Sequence, residues 1–500
     1  MEKIFNKINH ICKNKILLDR MIMIFTFCVM MYQTLYLIIP VRQFFYLTKF
    51  NYFSYLLAVC GLCLFFWDLI CDRYFLKTKY SYILIVLIVV MCVSSLINYE
   101  YGFVSNIKSV IWQISQILVI FPLYKRVSKD SLLSLLKKFY IVASVFYIPS
   151  IIISFYQLFA RISYIAVCDG GYSRQGFTEG RLFGIFSSPH FTALVMSVLT
   201  IISIYYTIKV KKRLSKISYF CCAIIYLFHI TASGSRSAVV ALVCAIFFIA
   251  VLLFAKFFKN KSIKLFLRST LSVALAVVFS LVSICTFSLA KKGIDLANVG
   301  INFVRNGFSN EYNTSFNDDE SSEENDMHIT DEELDILNRS DTDISNISNN
   351  RFDIWNEYLT ITAKDFKSLL FGYSLGSYML YIIDNYPDSF IVSNIRENHP
   401  DMFSKNSIYD THNAYIGAFV TTGLVGIILL FTFLIMGLVN ILKALIKSKK
   451  IVLEIYVFLG VLVFILVASF FDSDLFFRCT STSILFWYFS GLTLKFAEAE

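Results

Sequence analysis

Long apolar tracts dominate this sequence, and several exceed the roughly 20 residues that a helix needs to cross the hydrocarbon core of a bilayer. Hydrophobic side chains make up 57% of the 500 residues and charged side chains only 16%. Backbone polar groups in a bilayer are satisfied only in helices or closed barrels, and these tracts lack the polar alternation of barrel strands. The sequence therefore predicts an all-α fold, a polytopic integral membrane helix bundle.

About twelve tracts have the length and hydropathy of transmembrane helices. A basic tail, residues 1–20, precedes the first tract, and no small-residue cleavage site follows, so we expect a retained helix and not a signal peptide. Nine tracts occupy residues 21–290 and three occupy residues 412–495. Their predicted bounds are 21–40, 52–70, 81–98, 107–124, 138–159, 183–208, 217–233, 237–257, 266–290, 412–442, 451–471 and 475–495.

The distribution of Lys and Arg predicts the orientation of the bundle. These residues concentrate in the tail and the even-numbered connections, whereas the short odd-numbered connections hold few of them. By the positive-inside rule, both termini are cytoplasmic and the odd-numbered connections are external. The net charge of +10 is therefore an orientation signal and does not indicate nucleic acid as a partner.

The ninth connection, residues 291–411, is the one large polar segment, and it is external in this orientation. From Glu311 to Asp343 it carries thirteen carboxylates among Asn and Ser residues, so we expect residues 311–346 to be disordered. Apolar residues then recur at helical spacing and predict an amphipathic helix over 351–370, lying on the membrane or packed on helix ends. They are Phe352, Trp355, Leu359, Ala363, Phe366 and Leu370.

Polar residues in apolar surroundings are the candidates for chemistry, because they are costly inside a membrane. Four clusters stand out, at residues 179–190, 233–237, 350–355 and 411–426. The predicted orientation places all four on the external side of the membrane. We therefore expect them to line a single site.

Three arginines in these clusters are candidates for binding phosphate. Arg236 lies among glycine and serine residues in a connection too short for a cytoplasmic anchor. Its guanidinium and the start of the following helix together suit a phosphate group, and Arg181 offers the second fork that a pyrophosphate needs. Arg351 is the weaker candidate. The alternative for Arg236 is a side chain that extends to the lipid headgroups, and the alternative for Arg351 is an ordinary surface charge.

His412 is the candidate for proton transfer. The start of a helix lowers the pKa of a histidine and keeps it neutral near pH 7, able to accept a proton. The carboxylates of Asp410, Asp472 or Asp474 are candidates for orienting it, and the alternative is a capping or packing role. His190 follows a proline in a turn and is interpreted as structural.

The ordered set of motifs resembles the O-antigen ligase and O-antigen polymerase superfamily of bacterial integral membrane glycosyltransferases. The resemblance covers about residues 180–430, and it departs from the family at His190, where a small polar residue is common, and in its long acidic segment. The matching pieces are Gly180-Arg181 with Gly184 and Pro189, the turn from Gly234 to Ala238, Arg351 with Trp355, Phe371-Gly372 to Gly376, and His412-Asn413 to Gly423 and Gly426.

The resemblance implies an enzyme that transfers a glycan from an undecaprenyl pyrophosphate donor to an acceptor hydroxyl, outside the bacterial cytoplasmic membrane and without metal or cofactor. Arg181 and Arg236 would hold the pyrophosphate, and His412 would activate the acceptor. The first external connection, Val41–Asn51, contains no Asp or Glu, which also disfavours a metal-dependent reaction. A chain-length regulator or a flippase would be a fitting protein partner.

The acceptor separates the activities within this superfamily. We favour a surface polysaccharide polymerase, whose acceptor is another repeat unit, because the large external connection is elaborated. The alternative is an O-antigen ligase that uses lipid A core. A flippase or secondary transporter is the alternative from another class, although the two halves lack matching hydropathy and the polar residues crowd one side.

Overall fold

The computed structural model describes residues 14–168, 171–178, 180–259, 265–313, 351–448, 452–473 and 475–498. Within these residues every predicted apolar tract overlaps a helix. The first part of the chain contains α1 (Lys15–Leu35), α2 (Ile39–Leu47), α3 (Phe53–Cys71), α4 (Ser81–Ile97), α5 (Phe103–Ile114), α6 (Leu123–Arg126), α7 (Lys129–Phe159), β1 (Ser163–Cys168), β2 (Gly171–Thr178) and β3 (Arg181–Gly184).

Seven further helices complete the membrane tracts, and five short helices lie in the connection before α17. They are α8 (Pro189–Lys209), α9 (Arg213–Ala232), α10 (Arg236–Lys259), α11 (Leu265–Asn313), α12 (Arg351–Ala363), α13 (Phe366–Phe371), α14 (Tyr378–Asn385), α15 (Phe390–Asn398), α16 (Pro400–Phe403), α17 (Ala414–Lys447), α18 (Leu453–Ala468) and α19 (Ser481–Ala497).

Nine helices among the described residues are long and apolar enough to cross a membrane, if Phe103–Arg126, which contains α5 and α6, is counted as one; α4 and α18 are shorter apolar helices. Apolar side chains of α1, α4, α7, α8, α17, α18 and α19 share one core, in which Trp487 is fully buried. The prediction of a polytopic all-α membrane protein is confirmed.

Helix α11 continues past the predicted end of the ninth tract at residue 290 and reaches Asn313. Its apolar face continues beyond that bound: Ile294 is buried against Leu158, Leu182 and Ala232. This packing extends the helix into a segment that the sequence assigned to the connection. Residues 314–346 of the predicted acidic segment lie outside the described residues.

The predicted amphipathic helix over residues 351–370 is two helices, and the face that packs on the protein is not the predicted apolar stripe. The helix is interrupted at Asp365, because the carboxylate of this residue accepts a hydrogen bond from the amide of Ser368 at 3.1 Å and caps the start of α13. The buried side chains of α12 are those of Ile354, Tyr358 and Ile361. The predicted apolar stripe does not pack on the bundle, since Phe352, Leu359 and Phe366 are 67%, 41% and 73% exposed, and its placement on the membrane stays a prediction.

The register of α12 is set by contacts that sequence periodicity cannot reveal, because apolar residues occupy both sides of the helix. The Tyr358 hydroxyl donates to the carbonyl of Tyr409, and the Tyr373 hydroxyl donates to that of Ile361 at 3.0 Å. Together with α14 and α15, α12 forms a second apolar core, here called the loop core. It comprises Ile354, Tyr358, Ile361, Tyr373, Tyr378, Ile382, Ile391, Val392, Ile395, Ile408 and Val420.

A small antiparallel sheet, which the sequence analysis did not anticipate, lies between α7 and α8. Its three strands pair in the order β1-β2-β3. Gly184 ends β3 with φ +61°, and a Cβ there would lie 2.0 Å from Ser154 Oγ of α7. Only glycine permits that approach, which fixes β3 and Arg181 against the bundle.

Helix α17 is interrupted at Gly423, where the backbone has φ +66° and ψ −168°. The interruption leaves carbonyl groups of the preceding turn without helical partners. The amide of Tyr373 donates to the carbonyl of Val420 at 2.8 Å, and that of Ser374 donates to the carbonyl of Thr421 at 3.1 Å. Residues 371–376, here called the glycine turn, are thus hydrogen-bonded to the interrupted transmembrane helix.

Two asparagines of neighbouring membrane helices hold the other side of this glycine turn. Asn98 Nδ2, just after α4, donates to the carbonyl of Gly372 at 3.1 Å. Asn106 Oδ1 of α5 accepts from Ser374 Oγ at 2.9 Å and from the amide of Gly376 at 2.8 Å. The loop core is therefore joined rigidly to the bundle.

We expect Gly423→Ala to destabilise the protein by about 3 kcal/mol or more, since it combines a left-handed backbone with a steric overlap. The new Cβ would lie 2.2 Å from the carbonyl carbon of Leu370. The measurement is the midpoint of thermal unfolding in detergent. Gly437→Ala in the same helix is the control, because nothing lies within 4 Å of its Cβ. Equal midpoints for the two variants would contradict this role of the interruption.

Candidate functional site

One cavity of about 500 Å³ gathers all four predicted site residues. The side chains come from β3, from the starts of α8, α10 and α12, and from the turns before α17 and after α18, which meet at one end of the bundle. The cavity, here called the site cavity, is lined by Arg181, Ser188, His190, Phe191, Gly234, Ser235, Arg236, Ser237, Val240, Arg351, His412, Phe471 and Asp472.

Arg181 is held against the turn between α9 and α10. Its Nε donates to the carbonyl of Ser233 at 3.1 Å. Gly234 has φ +63°, and a Cβ there would lie 3.3 Å from Arg181 Cγ, so glycine lets the arginine stem pass close to the backbone. The turn thereby orients the guanidinium of β3 at the cavity.

Arg236 is the first residue of α10, and its side chain is exposed. A helix start presents unpaired amide groups and the positive end of the helix dipole. Arg236 and the start of α10 both line the site cavity, and both favour an anion there. No acidic residue lies in the first turn of α10 to compete for them.

Arg351 begins α12 and is half-buried in the same cavity. Burial lowers the pKa of its guanidinium, and the Asp472 carboxylate opposes that shift. Guanidinium groups remain charged in proteins, so a partly desolvated cation faces the cavity. Such a group interacts more strongly with an anionic ligand than an exposed one does.

His412 lies immediately before α17 in the left-handed region, with φ +46°. The cap of this helix is Asn413, whose Oδ1 accepts from the amides of Tyr415 and Ile416 at 2.9 and 3.1 Å. The structure thus assigns the capping role to the neighbour. His412 is left with its ring in the site cavity.

The turn that carries His412 is fixed by the loop core. Trp355 Nε1 donates to the carbonyl of Thr411 at 2.8 Å, and the Tyr358 hydroxyl donates to that of Tyr409. Both donors are on α12, the helix that begins with Arg351. One short helix therefore positions a cation and the histidine together.

Burial lowers the pKa of His412, the carboxylates of Asp410 and Asp472 oppose the shift, and Arg351 and His190 reinforce it. The imidazole is therefore neutral at pH 7 and can accept a proton. The predicted direction agrees, but the leading cause is burial and not the helix start alone.

The carboxylates expected to orient His412 make their hydrogen bonds elsewhere. Asp410 pairs with Arg478 at 2.5 Å and accepts from the Tyr378 hydroxyl at 2.9 Å. Burial raises the pKa of Asp410, but Arg478 and the hydrogen bonds outweigh it, so the pKa lies below its usual value. Asp472 bonds to His190. Asp474 lies outside the described residues.

His190 lines the site cavity, although the sequence analysis assigned it to structure. Its Nδ1 lies 3.0 Å from Ser235 Oγ and 3.1 Å from Ser237 Oγ, and its Nε2 lies 3.1 Å from Asp472 Oδ2. The available signal was its position in the first turn of a helix that starts at the same end of the bundle as α10. Its partners are distant in sequence, so no local pattern shows them.

We expect Trp355→Phe to lower turnover about tenfold while protein abundance stays near that of the wild type. The change leaves the Thr411 carbonyl without its donor and loosens the turn before His412, and small misplacements of catalytic groups are costly. Turnover is measured per mole of purified protein. Tyr373→Phe is the control, because it removes a similar hydrogen bond from the loop core but not from this turn. Equal losses in both variants would show a general effect of loop-core stability.

These features define a polytopic helical membrane protein with a cationic, histidine-containing cavity at one end of its bundle. The model of the O-antigen ligase family matches residues 221–431, so this part of the chain is similar to that family. The matched residues include Arg236, Arg351 and His412, whereas Arg181 lies before them. A comparison with curated proteins gave no match.

Proposed function

We propose that this protein is a surface polysaccharide polymerase of the bacterial cytoplasmic membrane. It transfers a glycan from an undecaprenyl pyrophosphate donor to a sugar hydroxyl of the acceptor, on the external face. The observation that carries the proposal is the convergence of Arg181, Arg236, Arg351 and His412 on one cavity. The family match supports a glycan-transferring enzyme of this superfamily.

The proposed role of the arginines is to stabilise the leaving group. When the bond between the sugar and the pyrophosphate breaks, negative charge develops on the departing phosphate oxygen. In this proposal Arg181 and Arg236, which both line the site cavity, bind the pyrophosphate with their planar donor groups, and the start of α10 adds backbone amides. Such donors lower the barrier when they are oriented before the reaction begins. They stabilise the developing negative charge without a metal.

The proposed role of His412 is to activate the acceptor. The neutral imidazole takes the proton of the acceptor hydroxyl as the oxygen attacks the anomeric carbon. The departing electron pair goes to the phosphate oxygen, so one bond forms and one breaks in the same step. Burial disfavours protonation of the base, and Arg351, on the helix that fixes the His412 turn, reinforces that effect and adds positive charge at the cavity.

The second candidate is a ligase that transfers the glycan to lipid A core, since the matched family is described as O-antigen ligase. The elaborated loop core favours the polymerase, because it offers a surface for a particular repeat unit beside the site. A gel of the surface polysaccharide from a deletion strain distinguishes the two. Loss of the ladder with one repeat retained indicates the polymerase, and loss of all repeats indicates the ligase. An unchanged profile would contradict both.

A further inference from the structure

Asp472, His190 and two serines form a continuous hydrogen-bonded chain along one wall of the site cavity. The chain joins the turn after α18 to the first turns of α8 and α10, with its three contacts at 3.0 to 3.1 Å. The Asp472 side chain is 8% exposed and that of His190 is 21% exposed. The histidine is thus open to the cavity, whereas its carboxylate partner is shielded behind it.

The partners of His190 satisfy both of its charge states. Asp472 accepts from Nε2–H in either state. Ser235 and Ser237 carry hydroxyls, which donate to Nδ1 when the ring is neutral and accept from it when the ring is protonated. A histidine held only for structure needs one fixed donor and one fixed acceptor. This site lets the proton come and go without leaving a buried group unpaired.

The charge of this pair bears directly on an anionic ligand. With His190 neutral, Asp472 places a carboxylate at a cavity whose other charged groups are cations, and that carboxylate opposes a pyrophosphate. Protonation of His190 cancels it. The titratable and charged groups that face the pair are Arg181 on β3, Arg236 on α10, Arg351 on α12 and His412 before α17. Arg181, Arg236 and Arg351 are permanent cations, and burial disfavours the protonated form of His412, which leaves His190 as the direct partner that can offset the Asp472 charge.

We propose that binding of the lipid pyrophosphate is coupled to uptake of a proton by His190. The inference rests on the proposed function, because it takes the donor to be a pyrophosphate lipid. By linkage, a ligand that favours the protonated form binds more tightly as the pH falls, by up to about tenfold per pH unit for one proton. His190 is therefore a specificity-determining residue for the charge of the donor.

Binding and turnover then respond to pH in opposite directions. Acid strengthens donor binding through His190 and weakens catalysis through His412, which must stay neutral to accept a proton. KM for the donor rises with pH, whereas kcat falls as the pH is lowered. A purely structural histidine would not produce this split.

The test is calorimetric titration of the protein in nanodiscs with undecaprenyl pyrophosphate, from about pH 5.5 to about pH 8.5, the range in which histidines ordinarily titrate. Buffers with different ionisation enthalpies give the number of protons taken up. The terminal phosphate of the lipid also titrates near pH 6. Uptake by the protein is therefore the difference between the wild type and His190→Gln, which keeps an amide donor toward Asp472 but cannot be protonated.

We expect His190→Gln to take up about one proton fewer than the wild type and to lose most of the gain in affinity at low pH. Asp472→Asn should also take up about one proton fewer than the wild type. It should bind the lipid more tightly than the wild type at about pH 8, because the opposing charge is gone. His412→Gln is the matched control and should keep the wild-type uptake at about pH 7 and above, where burial holds His412 neutral. Wild-type uptake in the His190→Gln variant would overturn the inference.

Two further outcomes separate the inference from the proposed function. An equal loss of affinity in His190→Gln at every pH, with unchanged proton uptake, would reduce His190 to a structural role and leave the proposed function intact. A wild-type protein that binds no pyrophosphate lipid at any pH would overturn the proposed function, and this inference with it.

Discussion

Replacement of His412 by Gln should remove nearly all product formation while leaving donor binding close to that of the wild type. Gln keeps a hydrogen-bonding amide of similar reach but cannot accept a proton at neutral pH. The proposed pyrophosphate contacts come from Arg181 and Arg236, which the change does not touch. The measurement is polymer formed by membranes supplied with lipid-linked repeat unit, with donor binding determined on the same preparation.

The pH dependence gives a second readout of His412. Because burial lowers the pKa of this histidine, its protonated and inactive form accumulates only below the ordinary value of about 6.5. The wild-type kcat should therefore be level near neutrality and fall as the pH drops through that lowered pKa. Comparable turnover by the Gln variant would remove His412 from the mechanism and leave the arginines as the main catalytic groups.

Substitution of Arg236 by Lys should lower turnover roughly a hundredfold, if the planar fork contributes about 2 to 3 kcal/mol to transition-state binding. Lys keeps the positive charge but offers a single point of contact. Arg213→Lys is the matched control, because Arg213 is also an exposed first residue of a helix but lies at the opposite end of α9 from the site turn. Product per mole of inserted protein is the quantity to compare. Near-normal polymer from the Arg236 variant would return this residue to the role of a surface charge.

Hydropathy alone located the membrane helices, because the bilayer imposes one length and one polarity on each span. The same constraint let alternate connections be grouped on one side of the membrane. That grouping predicted that four polar residues meet in one site. The site cavity is lined by all four, Arg181, Arg236, Arg351 and His412. Their chemical roles stay predictions. The sequence pointed to these residues because each is polar at a position next to a membrane tract, where an apolar residue would cost less free energy.

Features that depend on contacts between distant segments could not be predicted. Periodicity fitted two faces of α12, and the hydroxyl of Tyr358, bonded to Tyr409, selects the face that is buried. His190 looked structural because its partners Ser235 and Asp472 lie 45 and 282 residues further along the chain. Sequence spacing indicates which residues share a helix, but not which helices meet.

The interruption of α17 makes the order of synthesis matter. The turn at residues 371–376 is synthesised before the carbonyl groups of Val420 and Thr421 that its amides bind, and Asp472 follows later still. A nascent chain thus carries its arginines before the turn that bears His412 has a helix to join. A chain released before α17 should be inserted but inert. Completion of the final helices is therefore the moment at which the site cavity of a newly made molecule is fully formed.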